Sequence, residues 1–257
     1  MSGGGQTRPL PAFLDVWCQM EQGLNPEAAV PANRLLGALD PELLGAVREH
    51  LELVDLAARD PVYESGQPIA HVYFPVDAVV SVVADMGDGS VLEVATVGRE
   101  GMLGVPVLLQ AGADEHRAFT QVPGRALRLP TPRFLELVEA SKPFDRLLHR
   151  YVQALITAIA RSAACNQAHS IEKRTGRWLL LTHDRAARDE FPLTQEFLAQ
   201  MLGVRRPSVT TAAGRLQRAG FIRYARGRVT VVDRAGLEMA SCECYRVIRD
   251  EYERLLG

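Results

Sequence analysis

Between residues 197 and 232 the sequence carries seven arginines and no aspartate or glutamate. Arg206, Ser208, Thr210, Thr211 and Arg215 follow one another in a stretch of helical spacing, and Arg226 and Arg228 flank Gly227 further on. These side chains suit contact with duplex nucleic acid. A guanidinium donates two parallel bonds to guanine O6 and N7 or to a phosphate, and Ser and Thr reach base edges, thymine methyls or phosphate. Arg206, at the leading edge, is the candidate for base contact. Ser208, Thr210 and Thr211 are candidates for base edges or phosphate, and Arg215, Arg226 and Arg228 for phosphate. Thr194 and Gln195 open a preceding helix whose first amides can hold another phosphate. The plain alternative is a solvated arginine-rich face without a partner.

The elements that must position these residues are legible around them. Thr194 is placed to cap a helix that ends before Gly203, where a tight turn needs positive φ. A second helix opens on Arg206-Pro207, with proline where no backbone donor is lost, and runs to Arg218. Leu198, Ala199, Leu202, Val204, Val209, Ala212 and Leu216 form the apolar face the two helices share, with Ala199 small enough for close approach. After Gly220, residues 221–232 read as a β-hairpin tipped by Arg226 and Arg228. A helix, a glycine turn, a second helix and a basic hairpin, centred on residues 193–232, predict a winged helix-turn-helix.

The rest of the chain divides by pattern. Residues 33–53 show apolar residues at helical spacing, with Asp40-Pro41 starting a fresh turn. Residues 61–129 hold short β-rich runs separated by turn residues: 71–74, 79–83, 91–97 and 126–129, as in an antiparallel barrel or roll. Thr131 is a plausible N-cap for a further helix. A longer helix covers 144–169, and Leu148, Val152, Leu155, Ile159, Ser162 and Asn166 recur along it at alternating spacings of four and three. Such a seam pairs with another helix, which in a homodimer is its own copy. A helix packed on its own domain is the alternative. Residues 1–30 form a Gly- and Pro-rich tail with one short helix near 13–20.

Composition sets bounds. The 257 residues are 47% apolar and 23% charged with a net charge of −2, which fits two compact globular domains. The charge is unevenly spread: residues 31–141 hold eight arginines against sixteen carboxylates. No apolar run approaches the roughly 18 residues that span a bilayer, and no signal peptide is evident, so a cytoplasmic location without membrane contact is expected. Cys18, Cys165, Cys242 and Cys244 include no two-residue-spaced pair, and only Glu243 separates the last two, so reduced, non-ligating thiols and no metal are expected. Nucleotide-binding and hydrolase motifs are missing and the six histidines are scattered, which argues against an enzyme.

On these residues the chain resembles the Crp/Fnr family of transcription regulators. The supporting segments are 98–104 (GREGMLG), 174–180 (RTGRWLL) and 193–222. The resemblance implies an α+β fold: a cyclic-nucleotide-binding-like jelly roll over 31–141, a dimerisation helix over 142–169, and a winged helix-turn-helix domain over 170–257. It also implies a homodimer on a two-fold symmetric double-stranded site, with RNA polymerase as a further partner. Arg99, Glu100, Gly101 and Arg117 are then the candidate contacts for a nucleotide effector, or else salt-bridged loop residues. Members that bind cyclic AMP carry Gly-Glu where this chain has Gly101-Met102, and Arg-Ser where it has Arg117-Ala118, so binding of cyclic AMP in the usual manner is not expected. Cys18 alone cannot supply the N-terminal cysteine cluster of the iron–sulfur branch. Two readings stay open: a regulator controlled by an effector in the roll, and a ligand-independent one whose roll serves dimerisation or partner contact.

Overall fold

The computed structural model describes residues 29–257, so the tail, its expected helix near 13–20 and Cys18 lie outside the described residues. After a short 3-10 turn (Val30–Ala32) come α1 (Arg34–Gly37) and α2 (Pro41–Arg48). Helical spacing over 33–53 thus resolves into two short helices and the start of a strand. Asn33 caps α1, its side chain accepting from the Leu35 and Leu36 amides, and Asp40 caps α2 by accepting from Leu43. Pro41 forces the break between them, because it cannot donate to a continuing helix. From Glu52 the chain pairs in register with a distant strand, and that ladder overrides the helical pattern.

The roll consists of β1 (Glu52–Leu56), β2 (Pro61–Tyr63), β3 (His71–Pro75), β4 (Val79–Asp85), β5 (Val91–Val97), then α3 (Val105–Leu108), β6 (Arg117–Val122) and β7 (Gly124–Pro130). Its strands form two antiparallel sheets, β1-β7-β3 and β2-β6-β4-β5. Leu56, Ala78, Val80, Val97, Leu103, Ala118 and Ala126 fill the space between them. α4 (Thr131–Ala140) follows directly. Thr131 is its first residue rather than its N-cap, and its hydroxyl donates instead to the Ile69 carbonyl at 2.6 Å.

The long helix α5 (Lys142–Ala168) leads to α6 (Ile171–Ala186), β8 (Glu190–Pro192), α7 (Gln195–Met201), α8 (Arg206–Arg218), β9 (Ile222–Ala225), β10 (Arg228–Val231), α9 (Arg234–Ala240) and α10 (Cys244–Leu256). α10 folds back along α5, where Tyr252 and Ile248 join one core with Tyr151, Leu148 and Val152. The outer face of the four-stranded sheet packs against the C-terminal domain. Val79, Val83 and Val122 are buried in one cluster with Trp178, Leu198 and Leu216 of the C-terminal domain. Polar groups cross the same boundary: the Trp178 indole donates to Glu93 at 2.7 Å, and Gln121 donates to Thr182 at 3.2 Å. Glu93 is half-buried, and its desolvation raises the carboxyl above the ordinary value against the opposing bonds from Ser81 and Trp178.

Candidate nucleic-acid interface

The helix pair forms where the sequence places it. The Thr194 side chain accepts from the Phe197 amide at 3.1 Å and caps α7. Gly203 adopts φ +62° in the turn, and Pro207 lies in the first turn of α8. Val209, Ala212 and Leu216 are buried inward, which leaves Arg206, Pro207, Thr210, Thr211 and Arg215 exposed and Ser208 half-buried. The hydroxyl of Thr210 reaches Gln195 Oε1 at 2.6 Å, so the start of the first helix and the outer face of the second brace each other. Thr211 donates back to the Pro207 carbonyl at 3.0 Å. Arg205, not singled out from the sequence, stands exposed at the N-cap position of α8.

The hairpin β9–β10 is joined by Arg226 and Gly227 at φ +50° and +72°. Positive φ at both central residues is the turn that matches strand twist, and it presents Arg226 at the tip. β8 adds a third strand beside β10, which the sequence reading lacked. The wing is tied to the recognition helix, since Gln217 accepts from the Tyr224 amide at 2.8 Å.

The arginine face is acid-free in sequence but not in space. Glu190 accepts from Arg228 at 2.6 Å, Glu172 from Arg215 at 3.0 Å, and Glu196 lies 3.8 Å from Arg206. The bond from Arg228 holds the Glu190 carboxyl below its ordinary value. These pairs are solvent-exposed and individually weak, so a phosphate can replace each carboxylate. All three carboxylates flank the span 197–232, and the fold swings them back to it.

The four candidate effector residues do not assemble into one site. Arg99 and Glu100 line an open cleft of about 750 Å³ with Arg34, Arg185, Arg249 and Tyr252, whereas Arg117 is not among its lining residues. Glu100 is committed to the protein, since its Oε1 accepts from Arg185 at 2.6 Å and from the Gly98 amide at 3.2 Å. Arg117 grips Asp85 through Nε at 2.8 Å and lies over the Phe119 ring. A side chain on Gly101 would overlap the Tyr151 ring, so this glycine serves the packing of the roll on α5. Met102, at the position of the family's ribose-binding carboxylate, is fully buried in the apolar core.

The expected dimer seam is also corrected in part. Leu148 is fully buried and Val152 nearly so within a single chain, because α4 and α10 cover that side of α5. Leu155 and Ser162 are half-buried, the latter accepting from Arg177 at 2.9 Å. Ile159 and Asn166 remain exposed, and the exposed apolar residues of α5 include Ile156, Ile159, Ala160, Ala163 and Ala164. A heptad spacing cannot tell a partner within the chain from a second copy, and here Leu148 and Val152 of the seam meet their own chain.

Sequence spacing did not show where the thiols come together. Cys165, Cys242 and Cys244 are buried and reduced, and they lie beside His169 in one cluster. Cys242 reaches Cys165 from 77 residues away in sequence. The usable signal was Cys165-x3-His169, two ligand types on one helical face. The hydrogen bond with Cys165, together with the charge of Arg177, holds the Cys242 thiol below its ordinary value.

A β-roll, a long connecting helix and a winged helix-turn-helix with a cationic outer face define a DNA-binding protein with a cyclic-nucleotide-binding-type domain. Family models agree: the cyclic nucleotide-binding domain matches residues 53–141, and the Crp-like helix-turn-helix domain matches 173–240. The chain belongs to the Crp/Fnr family of transcriptional regulators. Solved structures share the fold. A CRP-family regulator from Thermus thermophilus aligns with TM-score 0.59 and 22% identity over 73% of this chain and 96% of its own. The c-di-GMP-responsive global regulator of Xanthomonas campestris aligns with TM-score 0.58 and 17% identity over 75% and 99%. A Crp/Fnr-family protein of Eubacterium rectale aligns with TM-score 0.61 and 14% identity over 80% and 96%. No curated protein matches the chain by sequence. Among the described residues, no helix is long and apolar enough to cross a membrane.

Proposed function

We propose that the protein is a homodimeric regulator of transcription that binds a two-fold symmetric duplex site. The observation that carries this reading is the outward face of α8 and the wing, where Arg206, Ser208, Thr210, Thr211, Arg215, Arg226 and Arg228 meet no acidic residue of their own span. In this reading α8 enters the major groove with Arg206 on a guanine. Arg215, Arg226 and Arg228 exchange their carboxylates or solvent for phosphate, and the first amides of α7 at Thr194 and Gln195 hold another phosphate. The exposed stripe Ile156, Ile159, Ala160 and Ala163 pairs two copies along α5, which sets half-sites about one helical turn, roughly 34 Å, apart. The roll does not take a cyclic nucleotide through Glu100, Gly101 and Arg117. Arg185, Tyr151 and Asp85 already occupy those positions, which favours the roll as a platform for dimerisation or partner contact.

Selection of bound sites from random duplexes, followed by anisotropy titration across a salt series, tests the reading. The expected result is a palindromic consensus and an affinity that falls steeply with salt. Loss of all salt-sensitive affinity for double-stranded DNA refutes it. A panel of nucleotides in thermal melts separates the roles of the roll: a stabilising ligand restores effector control.

A further inference from the structure

The end of α5 and the junction of α9 with α10 bring three thiols and an imidazole to one point. Cys165 lies in the last turn of α5, and His169 caps that helix with its amide on the Cys165 carbonyl. Cys242 and Cys244 stand either side of Glu243, where α10 begins. The Cys165 and Cys242 sulfurs are 3.5 Å apart, and Cys244 Sγ is 3.7 Å from His169 Nδ1. All four ligand atoms lie within 4.8 Å of one another. Around a tetrahedral zinc ion, with sulfur at about 2.3 Å and nitrogen at about 2.0 Å, neighbouring ligand atoms stand roughly 3.5–3.8 Å apart. The cluster therefore has the dimensions of a single ion. An iron–sulfur cluster spreads its thiolates over several irons and needs a wider cage.

The surroundings are those of a metal site. His169 Nε2 lies 3.2 Å from Glu243 Oε1, and its Nδ1 faces the Cys244 sulfur. This order of carboxylate, imidazole and ion is the usual support of a ligating histidine. Two arginines of α6, Arg174 and Arg177, are buried to 8% and 6% exposure, and the Nε of each has no partner. Their charge acts on the same cysteines. Three thiolates and a neutral imidazole around a divalent ion carry one net negative charge, and these guanidiniums are placed to compensate it.

We infer that Cys165, His169, Cys242 and Cys244 form a closed site for one thiophilic divalent ion, Zn2+ by its ligand set, which fastens the end of the long helix to the C-terminal helix of the DNA-binding domain. On binding, the three thiols release their protons to water and each sulfur bonds the ion, and no electrons are transferred. Four protein ligands leave no open position, so the ion serves to tie the hinge rather than to act as a Lewis acid. The site stands independently of how the protein binds DNA.

Cobalt titration of the chelator-treated, fully reduced protein tests this. The expected result is one Co2+ per chain, with a thiolate-to-cobalt charge-transfer band, tetrahedral visible bands and displacement by Zn2+. Cys242→Ser is expected to lose charge-transfer intensity. Glu243→Gln, an exposed change that leaves folding intact, is expected to keep the spectrum but weaken binding roughly 10–100-fold. Hydrogen exchange is expected to slow at residues 165–170 and 241–246 when the ion is bound. Absence of the thiolate band in the reduced protein overturns the proposal, as does an unchanged spectrum in Cys242→Ser. A Cys165–Cys242 disulfide under mild oxidant, with no cobalt band in the reduced form, assigns the thiols to redox chemistry and equally overturns it.

Discussion

Arg185→Met is the sharpest probe of how the roll holds the DNA-binding domain. Arg185 lies on α6 and Glu100 in the loop after β5, and their side chains are 7% and 11% exposed. The 2.6 Å bond between them is a charged contact across this boundary, and Glu100 Oε2 has no hydrogen-bond partner. Methionine fills much of the arginine's volume but leaves the carboxylate with only the Gly98 amide at 3.2 Å. Removing one partner of a buried pair costs about 3–5 kcal/mol, because the remaining charge is uncompensated, whereas removing both is often near neutral. Glu100→Gln/Arg185→Met is therefore expected to recover most of what Arg185→Met loses. Urea unfolding at a fixed protein concentration, followed by the fluorescence of Trp178 on α6, reads both variants. An Arg185→Met midpoint within about 1 kcal/mol of the parent, or a double variant as weak as the sum of its singles, refutes the reasoning.

Other predictions follow from the same geometry. Arg206→Ala should relax base choice at one position of each half-site at a cost of about 1–3 kcal/mol, while Arg228→Ala should weaken all duplexes alike and lower the salt slope by about one; anisotropy on specific and scrambled duplexes separates them. Ile156→Glu should yield a monomer in light scattering, whereas Leu148→Ala should stay dimeric and lose about 2–5 kcal/mol of stability in urea. Burial places the folded-state pKa of Glu93 above its unfolded value, so the folded protein keeps a proton that the unfolded chain releases. Stability should then fall as pH rises from the ordinary carboxylate range towards that raised value, and Glu93→Gln should flatten this segment of the urea-midpoint profile.

The DNA-binding half of the molecule was readable because its determinants are local. Thr194, Gly203, Pro207, Gly220 and the Arg226-Gly227 turn each act through φ, a cap or a missing donor within a few residues, and they form the elements their types predict. The apolar runs at 71–74, 79–83 and 91–97 likewise became strands. What the sequence alone could not supply is pairing across distance. The ladder that makes a strand of Glu52–Leu56 comes from β7, and the carboxylates that meet Arg215 and Arg228 come from outside the acid-free span. The fold spent Glu100 on Arg185 and Leu148 on α10's side of the core, and it gathered Cys165, His169, Cys242 and Cys244 at one hinge. Local conformation is set by each residue's own sterics and hydrogen bonds, whereas a buried charge or thiol is defined by which remote group the packed core leaves beside it.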